Sequence, residues 1–446
     1  MAHAVIVTDL GFGDAGKGTT VDYLARQAPS VVVRYNGGPQ AAHNVITPDG
    51  RHHTFAQFGS GSFIDGTSTH LSRFMLINPL AMFPEAEHLQ QLGVRDIWQR
   101  TTVDREALII TPWQQAANRL RELARGNGRH GSCGQGIGET MADSIDRPDL
   151  VIRVKDIERD LPQKLDALRL YKREQVRQEI GVIKNGTADW GLLNDDSFVA
   201  LLTAAYRNWV RLVKVVGMNY LSILADQTEQ LLFEGAQGVL LDEWYGFHPY
   251  TTWSTTTPAN ALQLLDDIQY ADDVRRLGIL RAYTTRHGPG PLVTEDTDLA
   301  HELPEYHNGT GQWQGAFRYG HLDLLAHQYA IAVSGGIDQL VVTGMDRKDS
   351  WLYCQRYQVP DGHDRGVYFD FDTNGGASAI KVGPFADLTY QGRLTEYLSR
   401  CHPIYSPSHT VGSERLLSVI EETLGVPVGL TSYGPSATEK RALVAH

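Results

Sequence analysis

The sequence predicts an α/β protein: one large domain over residues 1–446, with a central, mostly parallel sheet flanked by helices and a phosphate-loop-like βαβ unit at its start. Three observations lead there. Ala4 to Leu10 is an apolar, β-branched run of the kind that forms a buried strand. A glycine-rich loop, Gly11 to Gly18, follows it. A helical pattern from Gly18 to Arg26 and a second buried run, Ser30 to Tyr35, come next. Strand, loop, helix and strand within about 35 residues define a βαβ unit and hence a parallel sheet.

Further short apolar runs extend the sheet: Ala107–Ile110, Gln230–Phe233, Gly278–Ala282 and Gln339–Thr343. Pro112–Arg125, Gln175–Ile183, Asp196–Val215, Asp323–Val333 and Gly412–Thr423 carry helical patterns. Asp156 to Arg177 is densely charged and reads as an exposed helical pair, within a helical insertion of about 156–183. No internal repeat or linker interrupts the chain.

Composition narrows the function. A hydrophobic fraction of 42% and a charged fraction of 21% are those of a globular enzyme. The three cysteines, Cys133, Cys354 and Cys401, are far apart and form no CxxC pair, so a cytoplasmic setting is expected rather than a disulfide framework. No signal peptide or membrane span is expected. A net charge of −12 argues against nucleic acid as partner. Any phosphate site must then be built locally, from backbone amides and a few Lys or Arg.

Gly11-x-x-x-x-Gly16-Lys17 matches seven positions of the phosphate loop G-x-x-x-x-G-K-[ST] and lies, as that motif must, between a strand and a helix. Glycines let successive amides converge on phosphate oxygens, and the helix N-terminus adds positive potential. Gly18 stands where Ser or Thr would hold Mg²⁺, so another group must do so, and Asp14 lies inside the loop. Taken alone, the segment also fits a glycine-rich turn with Asp14 as a helix cap. Gly126 to Gly138, with six glycines, fits equally a surface loop or a second anion cradle. The hydroxyl-rich Thr251–Thr257 fits an edge strand or a ligand site, and an isolated His43 is ordinarily structural.

Six ordered blocks together resemble the adenylosuccinate synthetase family. Gly13-Asp14-Ala15-Gly16-Lys17-Gly18 matches its Gly-Asp-Glu-Gly-Lys-Gly. Val32-Val33-Arg34-Tyr35-Asn36-Gly37-Gly38 through His43 matches its Val-Val-Arg-Tyr-x-Gly-Gly-x-x-Ala-Gly-His. Phe233 to Gly238 with Leu240–Asp242, Ala282 to Arg286 with Gly288 to Pro291, Thr343–Asp346, and Ser432–Pro435 complete the series.

The resemblance implies a ligase that phosphorylates the 6-oxygen of a purine nucleotide and replaces the phosphate with the amino group of aspartate, converting IMP to adenylosuccinate. It implies Asp14 as general base, His43 as acid or electrophile, and Lys17 and Gln237 at the reacting groups. Asp14 and the Ala42 carbonyl would hold Mg²⁺. GTP would be bound by Gly13, Gly16, Lys17, Gly18, Asp346, Ser432 and Gly434, though ATP or dATP is an alternative donor. The purine nucleotide would meet Gln40, Ser132, Cys133, Gln237 and Thr252, with Arg147 reaching across a homodimer interface. Thr310 and Arg318 would meet L-aspartate.

The departures are specific. The family's aspartate loop, Thr-Thr-Gly-Arg-x-Arg-Arg, is replaced by His307 to Gly320. A base-contacting Asn becomes Gln40, a phosphate-binding Thr becomes Cys133, a nearby Arg becomes Gln135, and the Lys of Thr-Lys-Leu-Asp becomes Gly344. One of the missing arginines contacts the ribose 2′-hydroxyl in the family, so a deoxyribose is tolerable here. That resembles the phage-type branch, PurZ, which joins aspartate to dGMP, although some of that branch lose the loop aspartate that this chain keeps. A paralogue making a nucleoside analogue is a further alternative. A non-catalytic GTP-binding regulator would need only the first loop, not His43, Gln237 or a second phosphate site.

Overall fold

The computed structural model describes residues 2–126, 131–180, 187–303, 313, 315–405 and 410–443. In chain order, the elements that frame the site are β1 (His3–Asp9), α1 (Lys17–Ala25), β2 (Ser30–Arg34), β3 (Ser68–Leu71) and β4 (Thr101–Asp104). Then come α2 (Pro112–Ala124), α3 (Ile137–Asp146), α4 (Leu161–Ile180), β5 (Lys214–Val216), β6 (Gln230–Glu234) and β7 (Val274–Arg281). α5 (Leu324–Val333), β8 (Gln339–Thr343), β9 (Val428–Ser432) and β10 (Lys440–Ala442) close the series.

The ten strands form one sheet in the order β5-β4-β3-β2-β6-β1-β7-β8-β9-β10. Every neighbouring pair is parallel except the last, β9 with β10. β2 and β6 are buried along their whole length, and β1 is exposed only at His3. Helices and loops therefore cover both faces, as a parallel sheet requires. Each of Val31, Val32 and Val33 contributes about 1.5–3 kcal/mol by its burial. Among the described residues no helix is long and apolar enough to cross a membrane.

The sequence reading changes at three points. Ala107–Ile110 does not extend the main sheet: Leu108–Ile109 pairs instead with Leu76–Ile77 and Ile152–Arg153 in a separate three-stranded sheet. An apolar run reports burial, not which sheet buries it. β3 and β4 carry no apolar run and escape sequence reading, yet both are buried. Their polar side chains satisfy one another, His70 Nδ1 lying 2.9 Å from Thr102 Oγ1, and burial pushes the His70 imidazole down to about 4. The charged stretch after Asp156 is not an exposed pair but contains the 20-residue α4, on which Leu161, Leu165, Leu168 and Lys172 are buried. The Lys172 ammonium meets Glu139 Oε2 at 2.7 Å and Asp143 Oδ1 at 2.9 Å on α3. Paired charges can be buried where single ones cannot, so a charged stretch here forms an inner wall.

Candidate active site

All six blocks singled out in the sequence lie just beyond the carboxyl ends of parallel strands: β1, β2, β6, β7, β8 and β9. That edge is where open α/β sheets bind ligands. A cavity of about 820 Å³ opens there. Gly13, Asp14, Lys17, Gln40, Ala42, His43, Ser132, Cys133, Gln237 and Thr252 all line it.

The glycine loop is organised differently from the expectation. Its amides do not converge on open space. Asp9, at the end of β1, accepts from Gly11 N at 2.9 Å, Gly13 N at 3.3 Å and Ala15 N at 3.0 Å. Lys17 Nζ lies 2.8 Å from the same carboxylate, and both side chains are almost wholly buried. The missing Ser or Thr at position 18 also has a steric reason. A Cβ on Gly18 would sit 2.7 Å from His43 Cβ, because α1 packs directly on the strand that begins at His43.

Two predicted catalytic residues, Asp14 and Gln237, hold left-handed backbone with φ of 58° each. Such backbone is costly for residues other than glycine and concentrates at functional sites. Arg281 Nε donates to the Asp14 carbonyl at 2.7 Å, which fastens the loop to the end of β7. The Asp14 carboxylate lies 3.3 Å from His287 Nε2. Burial works against its charge, but His287, Arg281 and Lys17 outweigh that and hold it below the usual carboxylate range. The side chain is nonetheless about 29% exposed to the cavity, so its charge is accessible to a ligand.

His43 is 7% exposed, and its Nδ1 lies 2.5 Å from Glu234 Oε1. Glu234 also accepts from the Ser60 amide at 3.0 Å and from the Ser60 hydroxyl. Burial would raise Glu234; the Arg34 guanidinium, His43 and Ser60 overcome this and hold it down to about 2. Burial pushes His43 below its ordinary value. The resting pair is thus a carboxylate accepting from Nδ1–H of a neutral ring, with Nε2 left for a ligand. Glu234 and Arg34 both stood in matched blocks, but only tertiary proximity reveals what they do.

On the far wall, Ser132 Oγ donates to Asn118 Oδ1 at 2.8 Å and accepts from Gly134 N at 3.2 Å. The indole of Trp313 packs on Gly134, and that of Trp253 on Gly138. Gln40 and Gln237 present buried side-chain atoms with no hydrogen-bond partner among the described residues, both amide atoms of Gln40 and Oε1 of Gln237. Such atoms are suited to a ligand's base edge.

Not every sequence-predicted residue joins this group. Arg147 is paired with Asp149 at 2.8 Å and is not among the lining residues. Arg318 pairs with Glu295 at 2.7 Å and donates to the Gly288 and Gly290 carbonyls. Thr310 lies outside the described residues.

Gly16, Asp346, Ser432 and Gly434 belong to a second region, at the ends of β8 and β9, whereas Gly18 packs on His43. Thr343 Oγ1 donates to Ala15 O at 2.7 Å, joining it to the loop. Asp346 is exposed there. Lys440, 8% exposed, donates to Thr19 Oγ1 at 2.8 Å and to the Gly434 and Ser436 carbonyls at 3.1 Å each. Burial pushes this ammonium down to about 8. Gly344 has φ of 71°, and a Cβ there would lie 3.0 Å from the Tyr283 ring. A lysine, as the resembling family has at this position, would be strained by the left-handed backbone and would need the Tyr283 ring to shift by a few tenths of an ångström.

Such an edge suits a ligand of nucleotide size, with acid–base groups and a loop that ends in a lysine facing one cavity. The fold and site define a nucleotide-dependent α/β enzyme. Comparison with known proteins narrows the class: the family profile described as adenylosuccinate synthetase matches residues 6–440. The chain belongs to the adenylosuccinate synthetase family and is a carbon–nitrogen ligase. An adenylosuccinate synthetase of Xylella fastidiosa (strain M12) is 31% identical, covering 98% of this chain and 97% of its own. One from Neisseria gonorrhoeae (strain ATCC 700825 / FA 1090) is 29% identical, with 98% of both chains covered. The fold is similar to that of fully ligated adenylosuccinate synthetase from Plasmodium falciparum, with a TM-score of 0.77, 19% identity and coverage of 99% and 100%. It is also similar to cyanophage S-2L succinoaminodeoxyadenylate synthetase (PurZ) bound to dGMP and dATP, with a TM-score of 0.59, 16% identity and coverage of 99% and 95%.

Proposed function

We propose that this ligase joins L-aspartate to carbon 6 of a 6-oxopurine nucleotide, IMP in the first reading, at the expense of GTP. The observation that carries this reading is the single cavity lined by an ionised Asp14, the Glu234-held His43, Gln40 and Gln237.

Asp14 takes the proton from purine N1. The electron pair moves to O6, which bonds to the γ-phosphorus as the bond to the leaving diphosphate oxygen breaks. His43, taking a proton from water at Nε2 as the anionic nucleotides bind, donates through Nε2–H to the oxygen on which charge develops, and Lys17 neutralises the phosphates. Glu234 stabilises the imidazolium as it forms. The aspartate amine then bonds to C6, inorganic phosphate departs with the C–O electron pair, and the amine loses a proton. General acid and base catalysis contribute about 10²–10⁴-fold each, and fixed positive groups contribute much of the remainder.

Asp14 and the Ala42 carbonyl fit Mg²⁺, which favours one or two carboxylates and other hard oxygens beside substrate phosphates. Among the described residues no cluster of three His, Cys, Asp or Glu exists for a softer or all-protein metal site. Mg²⁺, when bound, supplies charge neutralisation at the transferring phosphoryl group. Asp346, Ser432 and Gly434 form the nucleobase end of the GTP site, together with Gly13, Gly16 and Gly18 at the phosphates. Thr252, Ser132 and Cys133 hold the acceptor's 5′-phosphate, joined by Arg147 from a second subunit in a homodimer. Thr310 and Arg318 serve L-aspartate.

A second reading, dGMP as acceptor, is favoured by one observation. The segment His307–Gly320 keeps Arg318 but lacks the further arginines of the family's loop, one of which contacts both aspartate and the ribose 2′-hydroxyl there. The PurZ structure, whose fold is similar, holds dGMP and dATP. A mass-spectrometric screen of IMP, dGMP and GMP with aspartate, Mg²⁺ and GTP, ATP or dATP separates the readings. A succino-adduct with IMP supports the first and one with dGMP the second. No adduct with any acceptor rejects the ligase chemistry proposed for this cavity.

A further inference from the structure

Phosphate loops of this kind build an anion cradle from successive amides. In this chain the cradle already holds an anion. Asp9 gathers the amides of Gly11, Gly13 and Ala15 and the Lys17 ammonium, at 2.8–3.3 Å, in a fully buried position. A buried carboxylate is stable only when donors surround it, and a glycine loop whose amides face one another needs an anion at its centre. Each requirement meets the other. The Asp9 side chain rises from the last residue of β1, so the rigid central strand sets its position.

We propose that Asp9 is a positioning residue: a built-in counter-anion that shapes the loop and aims Lys17 before nucleotide arrives. Two consequences follow. The amides of residues 11, 13 and 15 are committed inside the protein, so phosphate contact falls to the start of α1 and to Lys17. An ammonium has three N–H donors, so Lys17 can keep Asp9 on one and present the others to a phosphate. The ordering entropy of the loop is then spent during folding rather than on binding, which is preorganisation. The proposal rests on reading this loop as the triphosphate site, and its test separates the two.

The test compares full-length wild type with Asp9→Ala and Asp9→Asn. Hydrogen–deuterium exchange of the segment 10–20 is followed by mass spectrometry, without and with Mg·GTP, alongside steady-state kinetics. In nucleotide-free wild type the loop amides should be protected. In Asp9→Ala their exchange should rise about tenfold or more, and Mg·GTP, supplying an anion, should restore protection. Because bound nucleotide then organises the loop, the KM for GTP should rise about tenfold or more while kcat falls less. Asp9→Asn, which still accepts from Gly11 and Gly13 but turns an NH₂ toward Ala15 and Lys17, should give an intermediate KM. Sodium formate, which fits the space vacated in Asp9→Ala, should lower that KM at least about threefold; equal chloride should not.

Unchanged nucleotide-free exchange in both variants overturns the proposal. So does a loop that stays unprotected with saturating Mg·GTP, because Asp9 would then serve the fold alone. If wild type shows no GTP-dependent protection or turnover, the triphosphate reading fails instead, while the nucleotide-free comparison still reports on Asp9.

Discussion

Replacing Glu234 with Gln removes the charge that faces both His43 and the buried Arg34. Its size can be worked from the site. Glu234 has no exposed surface and is held down to about 2 from an ordinary 4.5, burial being outweighed by Arg34, His43 and Ser60. That difference corresponds to about 3 kcal/mol. Its sign is fixed by the downward shift: the stabilisation is present above pH 4.5 and is lost as pH falls from there to about 2. Glu234→Gln should therefore unfold about 3 kcal/mol more easily at pH 7, in the range found when one member of a buried charge pair is removed. The gap from wild type should close as pH falls between 4.5 and 2. The same change leaves His43 without an anion to orient Nδ1–H and to balance the imidazolium, so kcat should fall about 10²–10⁴-fold. Urea unfolding across pH and single-turnover phosphorylation at pH 7 read the two effects. A stability loss below about 1 kcal/mol at pH 7, or a rate within about threefold of wild type, would refute the assignment of Glu234 as the anchor of His43.

Asp14→Asn should keep the fold, since Asn tolerates the φ of 58° found there, yet lower single-turnover 6-phosphorylation about 10²–10⁴-fold. Equal rates for the two proteins would remove Asp14 as base. Gly18→Ser restores the usual phosphate-loop residue but drives a Cβ to 2.7 Å from His43. It should cost about 1–3 kcal/mol by overpacking and give no tighter Mg²⁺ dependence in an activity titration. Lys440 is pushed down from 10.5 to about 8 by burial, so the unfolded chain keeps its proton longer. The wild-type unfolding free energy, measured relative to Lys440→Met, should rise by up to about 3 kcal/mol between pH 8 and 10.5. A flat difference would show that the ammonium is not disfavoured in its pocket.

How much was legible in the sequence can be judged element by element. β1, α1 and β2 carry local signals, an apolar β-branched run and a glycine loop, and each forms within a residue or two of its expected bounds. Asp14, His43 and Gln237 stood in short blocks whose order along the chain matched one family, and the resemblance then pointed to Thr252 outside them, so these four could be named in advance. β3 and β4 could not, because their Thr and His side chains find partners only in the folded chain: His70 with Thr102, Thr69 with the Gly59 amide and Thr101 with the Ile97 carbonyl. α4 resembled a solvated helix because nothing local shows that Lys172 meets two carboxylates of α3.

The sequence by itself determined the chemistry available: a phosphate-type loop, an aspartate within it and a histidine after a glycine pair, because residue type and short spacing suffice for these. Tertiary structure alone decided what each polar group faces. It put Asp9 rather than open space at the centre of the loop, Glu234 behind His43, His287 beside Asp14, and His43 against Gly18, so that no hydroxyl fits there. Each contact joins segments tens to hundreds of residues apart or turns on where a buried side chain points. A buried charge is stabilised by whatever surrounds it in three dimensions, which no local pattern of residues records.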